Sequence, residues 1–349
     1  MQILITGNMG YVGPVLVRHF RARFPDAVLI GYDSGLFAHC LTGCDVLPET
    51  LLDRQVFGDT RDIDASLLAG CDAVVHLAAI SNDPMGDRFA EPTNEVNHLA
   101  SLRLAALACD AGVRHFVFAS SCSVYGAAGA TARTEADGVA PISAYARSKI
   151  ATEQGLRQME RDGMTVTCLR FATACGMSDR LRLDLVINDF VACAMATGEI
   201  TVLSDGSPWR PLIDVTDMAR AIEWAVVRPA ACGGDMLVVN AGSDDWNFQV
   251  RGLAEAVVSQ VPGCTLSINR EAPPDRRSYR VDFSLFRSLA PGHQPMATLA
   301  GTIGRLRDGL TAMDFSDRRF REGRHIRLHV LAEHAAAGRI GPDIRMRRG

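Results

Sequence analysis

MQILITGNMGYVGPVLVRHF, residues 1–20, opens the chain with a β-rich run, a turn with glycines at 7, 10 and 13, and an amphipathic run behind it. MQILITG reads as a strand, and VGPVLVRHFRARF carries apolar residues at helical spacing. Gly7, Gly10 and Gly13 let the chain turn tightly and bring backbone amides close to a pyrophosphate at the helix N-terminus. Met9, Tyr11 and Val12 fill the turn between them. AVLIGYD is the second strand, closed by Asp33 twenty residues beyond Gly13. A carboxylate there accepts hydrogen bonds from adenosine ribose hydroxyls. It also repels a 2′-phosphate, and Ser34-Gly35 supplies no arginine to welcome one. NAD is therefore favoured over NADP.

Working outward, CDAVVHLAA, HFVFASS and MTVTCLRF are further strands, and LASLRLAALACDAG between them is helical. Strands alternating with helices predict a parallel sheet covered on both faces. The expected fold is α/β: a Rossmann-type, doubly wound parallel sheet with a smaller mixed α/β lobe for substrate. DMARAIEWAVV and DMLVVNAG read as one more helix and strand of the first lobe. The NAD-binding domain is thus placed at 1–170 and 212–242, and the second lobe at 171–211 and 243–349. The terminal IRMRRG is expected to be a solvated end.

The 349 residues are 48% hydrophobic with a formal charge of −4. That is enough apolar content for a full core, and no global basic field points to nucleic acid or an anionic membrane. No apolar run is long enough to span a bilayer, and MQILITGNMG does not read as a signal peptide. Ten cysteines are scattered along the chain; Cys71, Cys109, Cys168 and Cys193 sit in apolar runs as small hydrophobes. Cys40 and Cys44 beside His39 resemble half a metal site without a second pair, so no metal is expected. A reducing, cytoplasmic setting fits this usage.

SAYARSK, residues 143–149, puts Tyr145 and Lys149 four positions apart on one helical face. A nearby ammonium favours a phenolate, which makes a proton acceptor from a group that ordinarily titrates near pH ~10. With the glycine turn and Asp33, these residues resemble the extended short-chain dehydrogenase/reductases, in the NAD-dependent nucleotide-sugar epimerase/dehydratase branch. GDTRD, residues 58–62, is similar to the family's adenine-edge segment, with Asp59 facing the base and Thr60 beside it. HLAA, residues 76–79, resembles the loop under the adenosine and pyrophosphate, formed by Leu77, Ala78 and Ala79. Asn97, with Ser101 beyond it, matches an asparagine that steadies the helix behind the active site. SSCSVYG places Ser121 where the family has its catalytic serine or threonine.

The resemblance implies that Ser121, Tyr145 and Lys149 oxidise a sugar alcohol, Lys149 also holding the nicotinamide ribose. Ser81, Asn82 and Ser123 would border the sugar pocket. WRPLIDV and DRRSYRVD resemble substrate-lobe segments whose arginines hold a nucleotide diphosphate. Arg210 and Arg277 are the chosen pair, with Arg276 and Arg280 as rivals for the second place. Asn188 resembles a further phosphate contact, and Arg182 faces either the sugar or solvent.

Two departures matter. RFATACG puts Thr173 and Cys175 where many relatives have asparagine and tyrosine. Family 4,6-dehydratases carry an acidic residue in the pair after the catalytic serine, whereas this chain has Cys122-Ser123. Some relatives place a cysteine at the position of Ser123. A one-residue shift on an extended segment turns a side chain to the opposite face, so Cys122 reads as packing. Asp184, Asp189 and Asp214 remain as acids that the second lobe could bring to the sugar.

The expected protein is an NAD-dependent epimerase of a nucleotide-diphosphate sugar, acting through a keto-sugar at C4, without metal, and paired as a homodimer through LASLRLAALACDAG and the Tyr145 helix. The alternatives are another fate of the same keto-sugar (dehydration, decarboxylation or net reduction) and an NAD-sensing protein without turnover. The prediction at this level concerns Asp33. NAD should bind more tightly than NADP, and Asp33→Ala should narrow the gap by roughly tenfold, the scale of one charge-assisted hydrogen bond. Equilibrium dialysis of both nucleotides checks this, and tighter binding of NADP by the unaltered protein contradicts it.

Overall fold

A computed structural model describes residues 1–127, 131–269, 271 and 278–347. Strand and helix alternate from the start: β1 (Gln2–Thr6), α1 (Gly13–Arg23), β2 (Val28–Asp33), β3 (Arg54–Phe57) and β4 (Ala73–His76). Two short helices follow, α2 (Asp83–Arg88) and α3 (Ala90–Asn94), then α4 (Ala100–Asp110), β5 (His115–Ser121), α5 (Ala144–Gln158) and β6 (Thr165–Phe171). The chain continues through β7 (Thr173–Cys175), α6 (Val186–Thr197), β8 (Glu199–Val202), β9 (Trp209–Asp214), α7 (Val215–Val227) and β10 (Met236–Ala241). It closes with β11 (Asn247–Gln249), α8 (Val250–Val258), β12 (Thr265–Ile268), α9 (Ser284–Leu289), α10 (Leu299–Ala312) and α11 (Arg327–Ala336).

The large sheet has seven strands in the order β10-β6-β5-β4-β1-β2-β3, and every neighbouring pair is parallel. Parallel strands need crossovers, which put helices on both faces. β4 and β6 are accordingly buried at every residue. Strand order reverses between β1 and β4, and a crevice opens at the carboxyl ends of strands at such a point. The Gly7–Gly13 turn lies there. Gly7 has φ +74, and a Cβ on it would stand 2.5 Å from the Ala78 amide nitrogen. A Cβ on Gly13 would stand 2.1 Å from the Asn8 carbonyl oxygen. Both positions exclude a side chain, so strand, turn and helix stay close.

The second lobe is smaller and mixed. β11, β9 and β7 form one sheet, and β8 pairs with β12 in another. Ile187, Val191, Leu253 and Leu306, from α6, α8 and α10, share its apolar core. β10 adds to β6 in the large sheet.

The terminal segment departs from a solvated end. Ile340 and Ile344 are 3% and 4% exposed, Ile340 bridges to Met346, and Arg345 pairs with Asp62. The arginines of IRMRRG obscured one apolar residue whose burial decides the path of the tail.

A buried ion pair ties α5 to the sheet. Arg170 on β6 donates to both oxygens of Glu153 on α5, at 3.0 and 2.7 Å. Ser120 Oγ on β5 donates to Glu153 at 2.5 Å, and a further Arg170 nitrogen reaches the Tyr125 hydroxyl at 3.0 Å. Removing one partner of a buried pair leaves a charge uncompensated, which costs about 3–5 kcal/mol. Arg170→Met is therefore expected to lose stability on that scale in urea unfolding, and Glu153→Met/Arg170→Met to recover most of it.

Candidate active site

One continuous cavity of about 1000 Å³ runs from the glycine turn to the second lobe. Its first section is a dinucleotide cleft. Gly7, Gly10, Tyr11 and Val12 line one side, with Leu77, Ala78 and Ala79 opposite. Asp33 stands at the end of β2, one oxygen accepting the Met9 amide at 3.0 Å and the other the Gly35 amide at 2.8 Å. A carboxylate has about four acceptor sites, so two main-chain bonds leave capacity for a ribose diol. Asp59 and Thr60 line the far end. Asp59 is gripped by Arg61 through the backbone amide and two guanidinium nitrogens, at 2.9, 2.9 and 2.6 Å. Met9 and Gly13 do not line the cavity: Met9 acts through its amide, and Gly13 by close packing.

Ser121, at the end of β5, and Tyr145 and Lys149, on α5, face the same space. The Ser143 hydroxyl caps α5, accepting the Ala146 amide at 3.0 Å. Asn97 lies behind the cavity in a π-helical turn at Glu95–Leu99. Its side chain bonds the Ile80 amide and carbonyl, at 2.8 and 3.0 Å, and the Ser148 hydroxyl at 3.1 Å. It thereby joins the loop after β4 to the helix that carries Tyr145.

The charge states differ from the sequence expectation. Burial pushes the Tyr145 phenol up to about 12, with Ser121 pulling in the other direction. Burial also lowers Lys149 to about 7, opposed by Glu153. Its ammonium nitrogen donates to the Ala119 carbonyl at 2.7 Å and stands 5.5 Å from the Tyr145 ring centre. Proximity along the helix does not outweigh burial here, so Lys149 alone does not ionise the phenol. The cation that does act on Tyr145 is Arg182.

Arg182 is 8% exposed in the cavity wall. It pairs with Asp184 at 2.9 and 2.8 Å and donates to Ser81 Oγ at 3.1 Å. Although burial opposes it, this guanidinium holds Asp184 below the usual carboxylate range. Asn82 donates to Asp184 at 2.7 Å and caps α2 through Met85. Asn82 has φ +127, a sparsely populated conformation whose strain clusters at functional sites. Thr173 and Arg210 line the end of the cavity toward the second lobe, and Ser123 Oγ is buried there without a hydrogen-bond partner among the described residues. Asn188 does not reach the cavity: its amide is spent on Gly176, the Tyr11 hydroxyl and the Arg182 carbonyl. Arg277 and Arg276 lie outside the described residues; Arg280 lies against the Trp209 ring, 4.9 Å from its centre.

Of the remaining acids, Asp189 pairs with Arg321 at 2.7 Å. Asp214 is fully buried, capping α7 and accepting from Thr302 and Arg305. Cys122 is 1% exposed, its thiol directed to the Arg170 carbonyl and pushed up by burial. Sequence reading missed Asp83, Tyr279, Phe37, Arg321 and Arg327, all of which line the cavity. Asp83 follows the capping Asn82 and accepts the Ser143 hydroxyl at 2.5 Å. The Asn-Asp-Pro run at 82–84 was the only signal for it.

A turn of glycines at the sheet's switch point and an acidic residue closing β2 form the kind of crevice in which doubly wound sheets bind dinucleotides, and Ser121, Tyr145 and Lys149 line the same cavity. Residues 3–242 match the NAD dependent epimerase/dehydratase family, and the chain belongs to it. Its cofactor is NAD. Among its relatives, "Uncharacterized UDP-glucose epimerase YtcB" of Bacillus subtilis is 29% identical over 244 residues, covering 67% of this chain and 75% of that protein. A dTDP-glucose 4,6-dehydratase of Streptomyces griseus is 28% identical over 319 residues, covering 89% and 92%. The solved structure of MoeE5 with UDP-glucose and NAD superposes with a TM-score of 0.72 at 25% identity, covering 89% of this chain and 99% of that one.

The titration of Tyr145 is the test of this geometry. In the NAD-free protein, the absorbance difference between wild type and Tyr145→Phe should show the phenol ionising only near pH about 12, and NAD should bring it down. A raised phenol is stabilising below its unfolded value of about 10, and that contribution is lost as pH rises through about 12.

Proposed function

We propose that the protein is a nucleotide-sugar epimerase that oxidises a ring hydroxyl, at C4, and returns the hydride to the other face of the keto-sugar. The observation that carries this reading is the neutral segment directly after Ser121: Cys122 is turned into the core and Ser123 is a hydroxyl, while Ser121, Tyr145 and Lys149 share one cavity. Bound NAD supplies the hydride acceptor and a positive charge. Tyr145 takes the hydroxyl proton once its own proton is lost, and Ser121 donates to the oxygen as it becomes a carbonyl. Lys149 keeps donors beyond its bond to Ala119 for a ribose. Arg210 is assigned to the substrate diphosphate, as a fork matched to phosphate oxygens. The relatives named as epimerases support the reading.

A second reading is loss of water from the same keto-sugar. Asp83 favours it, because this carboxylate lines the cavity close enough to oppose ionisation of Tyr145. A homodimer through α4 and α5 belongs to the proposal, and Leu99, 53% exposed just before α4, supports it. A cytoplasmic setting is proposed as well; no helix of the described residues is long and apolar enough to cross a membrane.

The experiment is a mass-spectrometric screen of UDP- and dTDP-sugars. A product of unchanged mass is expected, and loss of water, loss of carbon dioxide or gain of two hydrogens overturns epimerisation. Tyr145→Phe should lower turnover by about 10²–10⁴ while the protein stays folded.

A further inference from the structure

The family match ends at residue 242, yet the last part of the chain returns to the dinucleotide cleft. Arg327, Leu328 and Leu331 of α11, and Ile344 beyond it, line the cavity that Gly10, Asp33 and Asp59 also line. Leu331, Ile340 and Ile344 form an apolar cluster with Ile80 and Met85, edged by Leu36, Phe37 and Val96. Ile344 has φ +59. A β-branched residue in this conformation is strained, and such strain persists only where the surroundings over-determine it.

The polar fastenings run to the cleft itself. Arg61, which grips Asp59, also donates to the Asp343 carbonyl at 3.0 Å. Arg345 pairs with Asp62. Arg339 donates to His334 Nδ1 at 2.8 Å, so the imidazole proton sits on Nε2, which donates to the Leu36 carbonyl at 2.8 Å. The tail is therefore held by the segment after β2 and by the adenine-edge segment.

Arg327 adds a charge. It is 2% exposed and stacks over the Phe37 ring, 5.3 Å from its centre. Its hydrogen bonds go to the carbonyls of Arg324, Arg180 and Leu181, at 2.9, 2.8 and 3.3 Å. Among the described residues none goes to a carboxylate. Burial lowers it to about 10. A buried cation without a hydrogen-bonded anion is costly alone and complements a bound one.

We infer that residues 327–346 form part of the NAD site: α11 and Ile344 close over the adenosine half, Arg327 faces the pyrophosphate, and NAD leaves only when this segment lifts. This fastening concerns the cofactor alone and is indifferent to the fate of the keto-sugar. The inference therefore stands independently of epimerisation.

The test uses the full chain with NAD, and equilibrium binding of UDP-glucose as a separate readout. NAD should slow backbone hydrogen exchange across 327–346. Arg327→Met, and separately Leu331→Ala/Arg345→Ala, should release NAD on the order of tenfold faster, the effect of about 1.4 kcal/mol. The double variant, whose changes lie away from the sheet core, decides the matter if Arg327→Met does not fold. Unchanged exchange together with wild-type release overturns the inference. So does weakened UDP-glucose binding with unchanged NAD release, which would give Arg327 to the substrate diphosphate instead.

Discussion

The Arg170–Glu153 pair is the constraint on which the site depends. Both side chains are nearly sealed from water, at 7% and 6% exposure, and a buried carboxylate tolerates ionisation only with its partners in place. Glu153 needs β6 on one side and Ser120 of β5 on the other. That requirement fixes the rotation of α5 about its axis. Lys149 lies one turn before Glu153 and Tyr145 two turns before it, so their direction into the cavity follows. Asn97 fixes the other end of the same helix through Ser148. The helix is held by polar groups that can be satisfied in one orientation.

The same burial that makes these ties strong sets the chemistry. Tyr145 and Lys149 both pay for desolvation, and each is shifted toward its uncharged form. The chain without cofactor therefore stores a protonated phenol beside a readily neutralised amine. Oxidised NAD, a cation, would oppose the first of these shifts if held beside Tyr145.

The second lobe contributes charge in compensated pairs. Arg182 with Asp184 and Arg321 with Asp189 line the cavity already neutralised. Among the described residues Arg327 has no carboxylate hydrogen-bond partner. A pocket arranged in this way positions polar groups without a large net field, and the few uncompensated cations mark where an anionic ligand gains most. Asn188, whose amide is spent on Gly176, the Tyr11 hydroxyl and the Arg182 carbonyl, supports this wall from behind.

Local sequence determined the first lobe because its signals are short-range. Glycines at 7, 10 and 13 between an apolar run and an amphipathic one, Asp33 after the next strand, and Tyr145 four residues from Lys149 each specify geometry within one turn or one strand. Cys122 is buried as expected, but strand alternation is not the reason, because β5 ends at Ser121 and Cys122 opens a 3-10 turn over Cys122–Tyr125. Charge states were not readable, because desolvation depends on what distant segments cover the group. Nor was the convergence of Asp83, Arg182 and Tyr279 on Tyr145, which joins residues separated by as many as 196 positions between Asp83 and Tyr279. The tail misled most plainly: its arginines suggested solvent, and only the tertiary structure showed that Ile344 has an apolar pocket to enter and Asp62 an arginine to hold. Sequence fixes what a segment prefers by itself, while the fold decides which preference is satisfied, because burial is a property of the surroundings rather than of the residue.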